Sequence, residues 1–266
     1  MKILKLFGLI FFSGAILSFG VAGYLYSRPA NFDRLNFVQR WLISEVNKEW
    51  DKYIENLPVE KQNIPDLNAL LSVLNPVERG LIEKILAIEP KNLGFMGPYF
   101  GIESPGELVT IPNKNYNFRG VEIESGVNFV SPKIHEDYLK MNEAMAAEIG
   151  KILEIENAYR TPGLSARLFF DYLEKENNWS LRENAKWVAM PGYSEHNRYE
   201  GTAIDFINQE GISGGDENQV PEDFEKLPEY EWMLKNAQKY NFYLSYPRDN
   251  QYGVGFEPWH WHWEKK

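Results

Sequence analysis

Cysteine is missing from all 266 residues of the sequence. That excludes a disulfide-stapled scaffold, a thiolate-ligated metal, a cysteine nucleophile and a lipid attached through an N-terminal cysteine. Positive charge is in short supply as well: 28 Lys and Arg stand against 38 Asp and Glu, a formal net charge of −10. Lys2 and Lys5 are the only charged residues in the first 27, so the remainder sets 26 basic residues against all 38 acids. Such a field repels a phosphate backbone, which argues against nucleic acid as a partner and disfavours anionic membrane surfaces. Histidine occurs only at positions 135, 196, 260 and 262. A G-x-S-x-G elbow and a P-loop are both absent, which removes the serine-elbow hydrolases and the P-loop nucleotidases. No internal repeat or low-complexity tract appears.

Apolar and aromatic residues are plentiful, at 44% and 15% of the chain, enough for a sizeable core and too much for disorder. An uncharged run from Leu6 to Tyr26 follows the two lysines, and its 21 residues would span roughly 30 Å as a helix. We read residues 1–27 as a single-pass membrane anchor. A cleaved signal segment is the competing reading, since Gly20, Ala22 and Gly23 offer small residues to a signal protease. Either reading exports everything after Tyr26 across the membrane.

From Asn36 to Ile54 the residues Phe37, Val38, Trp41, Leu42, Val46, Trp50 and Tyr53 recur mostly at helical steps, and Pro58 ends the pattern. Further helices are expected over Leu67 to Leu74 and Pro76 to Ile88. Residues 28–104 thus read as a helical stalk or subdomain that stands the rest off the membrane. Gly94 to Asn117 reads as loop with a short strand at Leu108 to Ile111. His135 to Leu153 has a helical stripe of Tyr138, Met141, Met145, Ile149 and Ile152. Strands are expected at Glu154 to Tyr159, Gly201 to Ile207, Tyr243 to Tyr246 and Phe256 to Trp263. Helices are expected from Pro162 to Leu173 and from Glu229 to Tyr240. The acids between Glu222 and Glu231 read as a solvated face beyond an acidic loop. Helices and strands mixed in this order indicate an α+β fold, an antiparallel sheet with flanking helices.

The chemistry concentrates in two segments. In SEHNRYEGTAID, from Ser194 to Asp205, His196 is followed nine residues later by an aspartate set among Ala203, Ile204 and Phe206. A carboxylate in an apolar strand is costly without a partner or a metal. In EPWHWHW, from Glu257 to Trp263, Glu257 stands three residues before His260. Two histidines and a carboxylate make a three-ligand zinc set with one open position, and a second carboxylate beside it can move a proton. Each piece has a plainer reading. A lone histidine is usually a satisfied core or surface residue. Asp205 can be a salt-bridged carboxylate, Glu257 a surface group beside a proline turn, and the tryptophans core packing.

Together the segments resemble the zinc D-alanyl-D-alanine carboxypeptidases of the VanY type, whose pattern is S-x-H-x-x-G-x-A-x-D followed later by E-P-W-H. PGYSEHNRYEGTAIDF and FEPWHW supply both parts. NAYRTP, from Asn157 to Pro162, resembles the family's S-G-Y-R-S block, and Tyr230 to Pro247 its lead-in to E-P-W-H. The resemblance covers about residues 105–266. It implies a zinc peptidase domain there, with Zn2+ held by His196, Asp205 and His260 and with Glu257 as general base. It also implies that Arg160 holds the substrate carbonyl or terminal carboxylate, and that peptidoglycan peptides are the substrate. Ser194 is expected to orient substrate or a ligand, or else simply to form a turn. Arg160 has the alternative of an ion pair with Glu154 or Glu156.

Two departures from the family pattern stand out. The His-to-Asp spacing is nine residues instead of seven, as if two residues near Arg198 and Tyr199 were inserted. His262 stands where these enzymes commonly have Arg. Residues two apart on a strand share a face, so His262 is a lesser candidate for contact with metal, ligand or substrate. His135 opens a helix away from these blocks and is expected to be structural. The activity implied is removal of a terminal D-Ala. L,D-carboxypeptidase or endopeptidase action on peptidoglycan, a non-catalytic zinc-containing cell-wall module, and a partner-binding stalk remain the alternatives.

Overall fold

A computed structural model describes residues 23, 26–101, 105–215 and 218–266. The apolar run expected as a membrane segment lies almost wholly outside them. Among the described residues no helix is long and apolar enough to cross a membrane.

The N-terminal part is helical. Helix α1 (Phe37–Glu55) begins where Asn36 accepts the amides of Val38 and Gln39 while the Gln39 side chain accepts the Asn36 amide, a reciprocal capping box. Helices α2 (Leu67–Ser72) and α3 (Pro76–Leu86) follow, capped by Asp66 and Asn75. The buried stripe of α1 is Val38, Leu42, Ile43, Val46 and Trp50; Phe37 and Trp41, expected on it, are 64% and 58% exposed. The spacing was helical, but these two rings sit on the opposite side of the first turns, where none of the described residues buries them.

Residues 35–93 do not make a core of their own. Ile43, Val46, Trp50, Leu70 and Ile82 pack with Ala166, Phe169, Phe170 and Leu173 in one cluster. The latter four belong to a helix much later in the chain (α5, Pro162–Lys175). Trp50 meets Phe170 edge to face and donates its indole N–H to the Leu70 carbonyl at 2.9 Å. Burial of each such side chain contributes on the order of 1.5–3 kcal/mol. At the start of α5 the Thr161 hydroxyl donates to the Pro65 carbonyl at 2.7 Å and accepts the Leu164 amide. Gly163 is required there because a Cβ would lie 2.2 Å from the same carbonyl oxygen. The helical part is therefore fastened to the segment that leads out of the site.

The C-terminal part is built on strands. Two small antiparallel pairs come first: β1 (Val109–Ile111) with β4 (Asn128–Val130), and β2 (Asn115–Phe118) with β3 (Val121–Glu124). The β2–β3 hairpin and β4 were not legible as strands in the sequence. Helix α4 (Pro132–Ile149) follows and stops at Gly150, whose φ is +69°. The main sheet has four strands in the order β5 (Leu153–Asn157), β6 (Ala203–Asn208), β8 (His260–Trp263), β7 (Phe242–Leu244), every pairing antiparallel. Helix α6 (Pro228–Asn236) completes the layer with α4. The expected α+β class with an antiparallel sheet and flanking helices is thus the observed one.

Strand alternation sorts the side chains of this sheet. Leu153, Ile155, Ile204, Phe206, Trp261 and Trp263 face α4 and α6, burying against Met141, Met145 and Met233. Ala203, Asp205, His260 and His262 take the other face, with Asp205 paired directly to His260 and Ala203 to His262. A slip of one residue would turn the tryptophans outward and the ligands into the core, so the apolar pattern fixes the register of the site. The acids from Glu222 to Glu231 are not uniformly solvated, because Glu229 is 1% exposed and burial raises its carboxyl above the usual range.

Candidate metal centre

Each member of the site is placed by a different local device. Asp205 lies mid-strand on β6, flanked by β5 and β8. His196 lies in a short 3-10 turn, Glu195–Asn197, started by Ser194, whose hydroxyl accepts the His196 amide at 3.3 Å. This turn is laced to the end of β5. Arg160 donates its amide to the His196 carbonyl at 2.9 Å, and the Asn197 side chain donates to the Arg160 carbonyl at 2.8 Å. Glu257 and His260 come from one turn, in which the His260 amide donates to the Glu257 carbonyl.

The ligand atoms of His196, Asp205 and His260 all lie within 4.8 Å of one another, and all three residues are buried. The Asp205 carboxylate spans the two rings, with one oxygen 3.2 Å from His196 Nε2 and the other 2.8 Å from His260 Nδ1. His196 donates Nδ1–H to the Ala158 carbonyl at 2.8 Å, which fixes the tautomer and turns the Nε2 lone pair inward. That Nε2 is buried and lacks a well-aligned hydrogen-bond partner. An orphaned lone pair beside a buried carboxylate and a second imidazole is what a divalent cation satisfies, and this donor set suits zinc.

The titration of these groups follows from their surroundings. Burial lowers His196 to about 4, helped by the Arg160 charge, so this ring is neutral and ready to ligate. Burial also opposes charge on His260, but Asp205 and Glu195 outweigh it and raise that ring to about 10. The same burial works against ionised Asp205, yet the two histidines hold it well below the usual carboxylate range. Glu257 is pushed up to about 8, chiefly by burial, with His260 pulling the other way and Asp205 adding to the rise. A carboxyl poised near neutrality 3.7 Å from His260 Nδ1 has the position and basicity of a proton carrier.

A cleft of about 800 Å³ opens over the cluster, reached by Arg160, Ser194, Tyr246 and Glu257. Burial lowers the Arg160 guanidinium from its usual value, and its Nε lacks a protein partner. The alternative ion pair with Glu154 does not form, since Glu154 is taken by Lys114 and Tyr116. Ser194 caps the His196 turn while also lining the cleft. His262 points elsewhere: its Nδ1 meets Ser245 Oγ at 2.8 Å and its ring stacks on Tyr243. His135 lies on α4 and stacks on Tyr138, away from the cluster.

The longer segment between His196 and Asp205 contains a second 3-10 turn, Tyr199–Gly201. It bulges outward, with the Tyr199 hydroxyl on the Glu107 carbonyl at 2.8 Å and the Arg198 guanidinium over the Phe100 ring. Thr202 then donates its hydroxyl back to the His196 carbonyl, so the ligands converge despite the longer loop. Three neighbours of the site escaped sequence reasoning. Glu195 receives His260 Nε2 at 3.0 Å, Ser245 donates its hydroxyl to Glu195, and Tyr246 lays its ring 4.7 Å from that of His260. Only Glu195 had a signal available, its place between Ser194 and His196.

Two imidazoles and an aspartate round one point, with a buried glutamate and an arginine at the rim, compose a donor set that could hold one metal ion. Comparison with known proteins makes this more specific. The VanY family model, D-alanyl-D-alanine carboxypeptidase, matches residues 128–266, and the chain belongs to that family. YodJ of Bacillus subtilis (strain 168), named as a carboxypeptidase, is 27% identical over 205 residues, covering 74% of this chain and 64% of YodJ. A D-alanyl-D-alanine carboxypeptidase of Enterococcus faecium is 36% identical over 158 residues, covering 58% of this chain and 44% of that protein. This chain thus spans less than two thirds of either relative. Among solved structures, the LdcB LD-carboxypeptidase aligns with a TM-score of 0.47 at 26% identity, covering 65% of this chain and 77% of LdcB. A Zn(II) complex of the VanY D,D-pentapeptidase from a VanB-type resistance cassette aligns at 0.41 and 20% identity, covering 64% and 82%.

Proposed function

We propose that this chain is a zinc-dependent D,D-carboxypeptidase that removes the terminal D-Ala from peptidoglycan stem peptides. It would act on the outer side of the cell membrane, tethered by its N-terminal apolar segment. The observation that carries the reading is the convergence of His196, Asp205 and His260 beside buried Glu257, on the floor of the cleft.

His196 through Nε2, His260 through Nδ1 and the Asp205 carboxylate would hold the zinc. When bound, zinc supplies Lewis acidity toward a carbonyl oxygen and toward a water molecule. The chain's own groups do the rest. Glu257 accepts the proton that the attacking water gives up and delivers it to the amine nitrogen of the leaving D-Ala. Its elevated basicity suits both halves of that task, since a carboxyl near neutrality takes and returns a proton with little driving force lost. Arg160, partly unpaired and facing the cleft, binds the terminal carboxylate or the oxygen that gains charge at the scissile carbon. Ser194 and Tyr246 border the same space and orient the peptide.

The test is incubation of the full-length chain with defined muropeptides and mass analysis of the products. Loss of one alanine from a pentapeptide stem, blocked by a chelator and restored by zinc, is the expected result. Cleavage only of tetrapeptide stems would assign L,D specificity instead, and cleavage of cross-linked dimers an endopeptidase. Inertness toward all three with zinc bound would leave a binding module.

A further inference from the structure

His260 has two ring nitrogens, and the structure commits both. Nδ1 faces Asp205 at 2.8 Å and Glu257 at 3.7 Å, whereas Nε2 faces the Glu195 carboxylate at 3.0 Å. Glu195 is itself 9% exposed and has a second partner, the Ser245 hydroxyl. Ser245 in turn lies 2.8 Å from His262 Nδ1. A hydroxyl has one proton, and a carboxylate can only accept. Ser245 therefore donates to Glu195 and accepts from His262 Nδ1–H. The result is a chain of hydrogen bonds that converges on Glu195, which accepts from Ser245 on one side and from His260 Nε2–H on the other, with His262 holding Ser245 from behind. Its outer end is the residue that departs from the arginine of the family pattern, held in place by stacking on Tyr243.

We propose that Glu195, fixed by Ser245 and His262, is the positioning residue that makes His260 a metal ligand through Nδ1. This rests on the zinc reading of the site. The two histidines are oriented by unlike means: His196 by the neutral Ala158 carbonyl and His260 by a full negative charge. A carboxylate accepting Nε2–H fixes the tautomer, holds the ring plane and makes the opposite nitrogen a stronger donor. The part of His262 in this arrangement is to supply, through Nδ1, the last hydrogen bond that holds the Ser245 hydroxyl toward Glu195.

Zinc affinity of the full-length chain, measured by competition with a chromophoric chelator, tests this separately from catalysis. Glu195→Gln keeps the shape but loses the charge, and its zinc affinity is expected to fall by about 10–100-fold. Ser245→Ala and His262→Ala are expected to lose less, in that order, because each removes one support of Glu195 and leaves the carboxylate itself. Cobalt-substituted protein gives a second readout, since a reoriented His260 changes the visible absorption bands. Wild-type zinc affinity and an unchanged cobalt spectrum in Glu195→Gln would overturn the assignment. If Glu195→Gln does not fold, wild-type affinity in both Ser245→Ala and His262→Ala overturns it instead. Failure of the unaltered chain to take up zinc at all is a different result, and it would overturn the metal reading.

Discussion

Glu257→Gln separates the chemistry of this site from its architecture. The carboxyl is 8% exposed and is pushed from 4.5 to about 8, with burial as the largest cause. The substitution keeps the volume and removes the ionisable proton. Because His196, Asp205 and His260 are untouched, zinc content should stay at the wild-type level while hydrolysis falls by about 10²–10⁴-fold, the usual worth of a general base. The same group should make the metal-free protein less stable at neutral pH. A carboxyl whose folded value lies above its unfolded value binds protons more tightly when folded. Its contribution is therefore most favourable below pH 4.5 and is lost progressively as pH rises toward 8. At pH 7 the loss amounts to about 3 kcal/mol by linkage, which the glutamine variant escapes. Chelator-treated Glu257→Gln should then melt above the chelator-treated parent by roughly 5–10 °C at pH 7, a gap that closes near pH 4. Muropeptide turnover and thermal unfolding across pH read the two effects. Turnover equal to the parent's would refute the proton-carrier role. A variant that melts lower at pH 7 would refute the account of why this carboxyl is poised there.

Zinc uptake should itself depend on pH. His260 holds its proton up to about 10 before the metal arrives, whereas His196, lowered to about 4, is already neutral. Binding must expel at least the His260 proton, so affinity should rise about tenfold per pH unit between pH 6 and 9. Calorimetry in buffers of different ionisation enthalpy would count the protons released, and a count of zero would contradict the assignment of His260. Arg160→Lys should lower kcat/KM by about 10²–10³-fold without changing zinc affinity, because a lysine cannot present the planar two-pronged donor. Steady-state kinetics close to the parent's would remove Arg160 from the reaction.

Much of the sheet was legible in the sequence because its signals are local. The strands at Glu154 to Tyr159 and Gly201 to Ile207 emerged within two residues of the observed β5 and β6, since a bounded apolar run needs no tertiary information. The hairpin from Asn115 to Glu124 was missed because its strands alternate asparagine and glutamate with single apolar residues in a stretch that otherwise reads as loop. Phe37 and Trp41 were assigned to the buried stripe because spacing alone cannot say which neighbours exist to cover a helix face. Residues 28–104 were read as a helical stalk or subdomain, and the contacts that tie them to the later part of the chain were invisible for a related reason. The cluster that joins them to Phe169, Phe170 and Leu173 unites side chains more than a hundred positions apart, and no local pattern encodes such a pairing.

What the sequence determined alone was the candidate donor set, because His196, Asp205, Glu257 and His260 stand in two ordered motifs that resemble the family's even with a spacing of nine instead of seven. The tertiary structure decided how each donor is aimed. Asp205 meets His260 through strand register, His196 presents Nε2 because a carbonyl from the end of β5 occupies Nδ1, and His260 presents Nδ1 because Glu195 occupies Nε2. Aim is set by hydrogen bonds between segments brought together only by folding, so it is written in the packing and not in the motif.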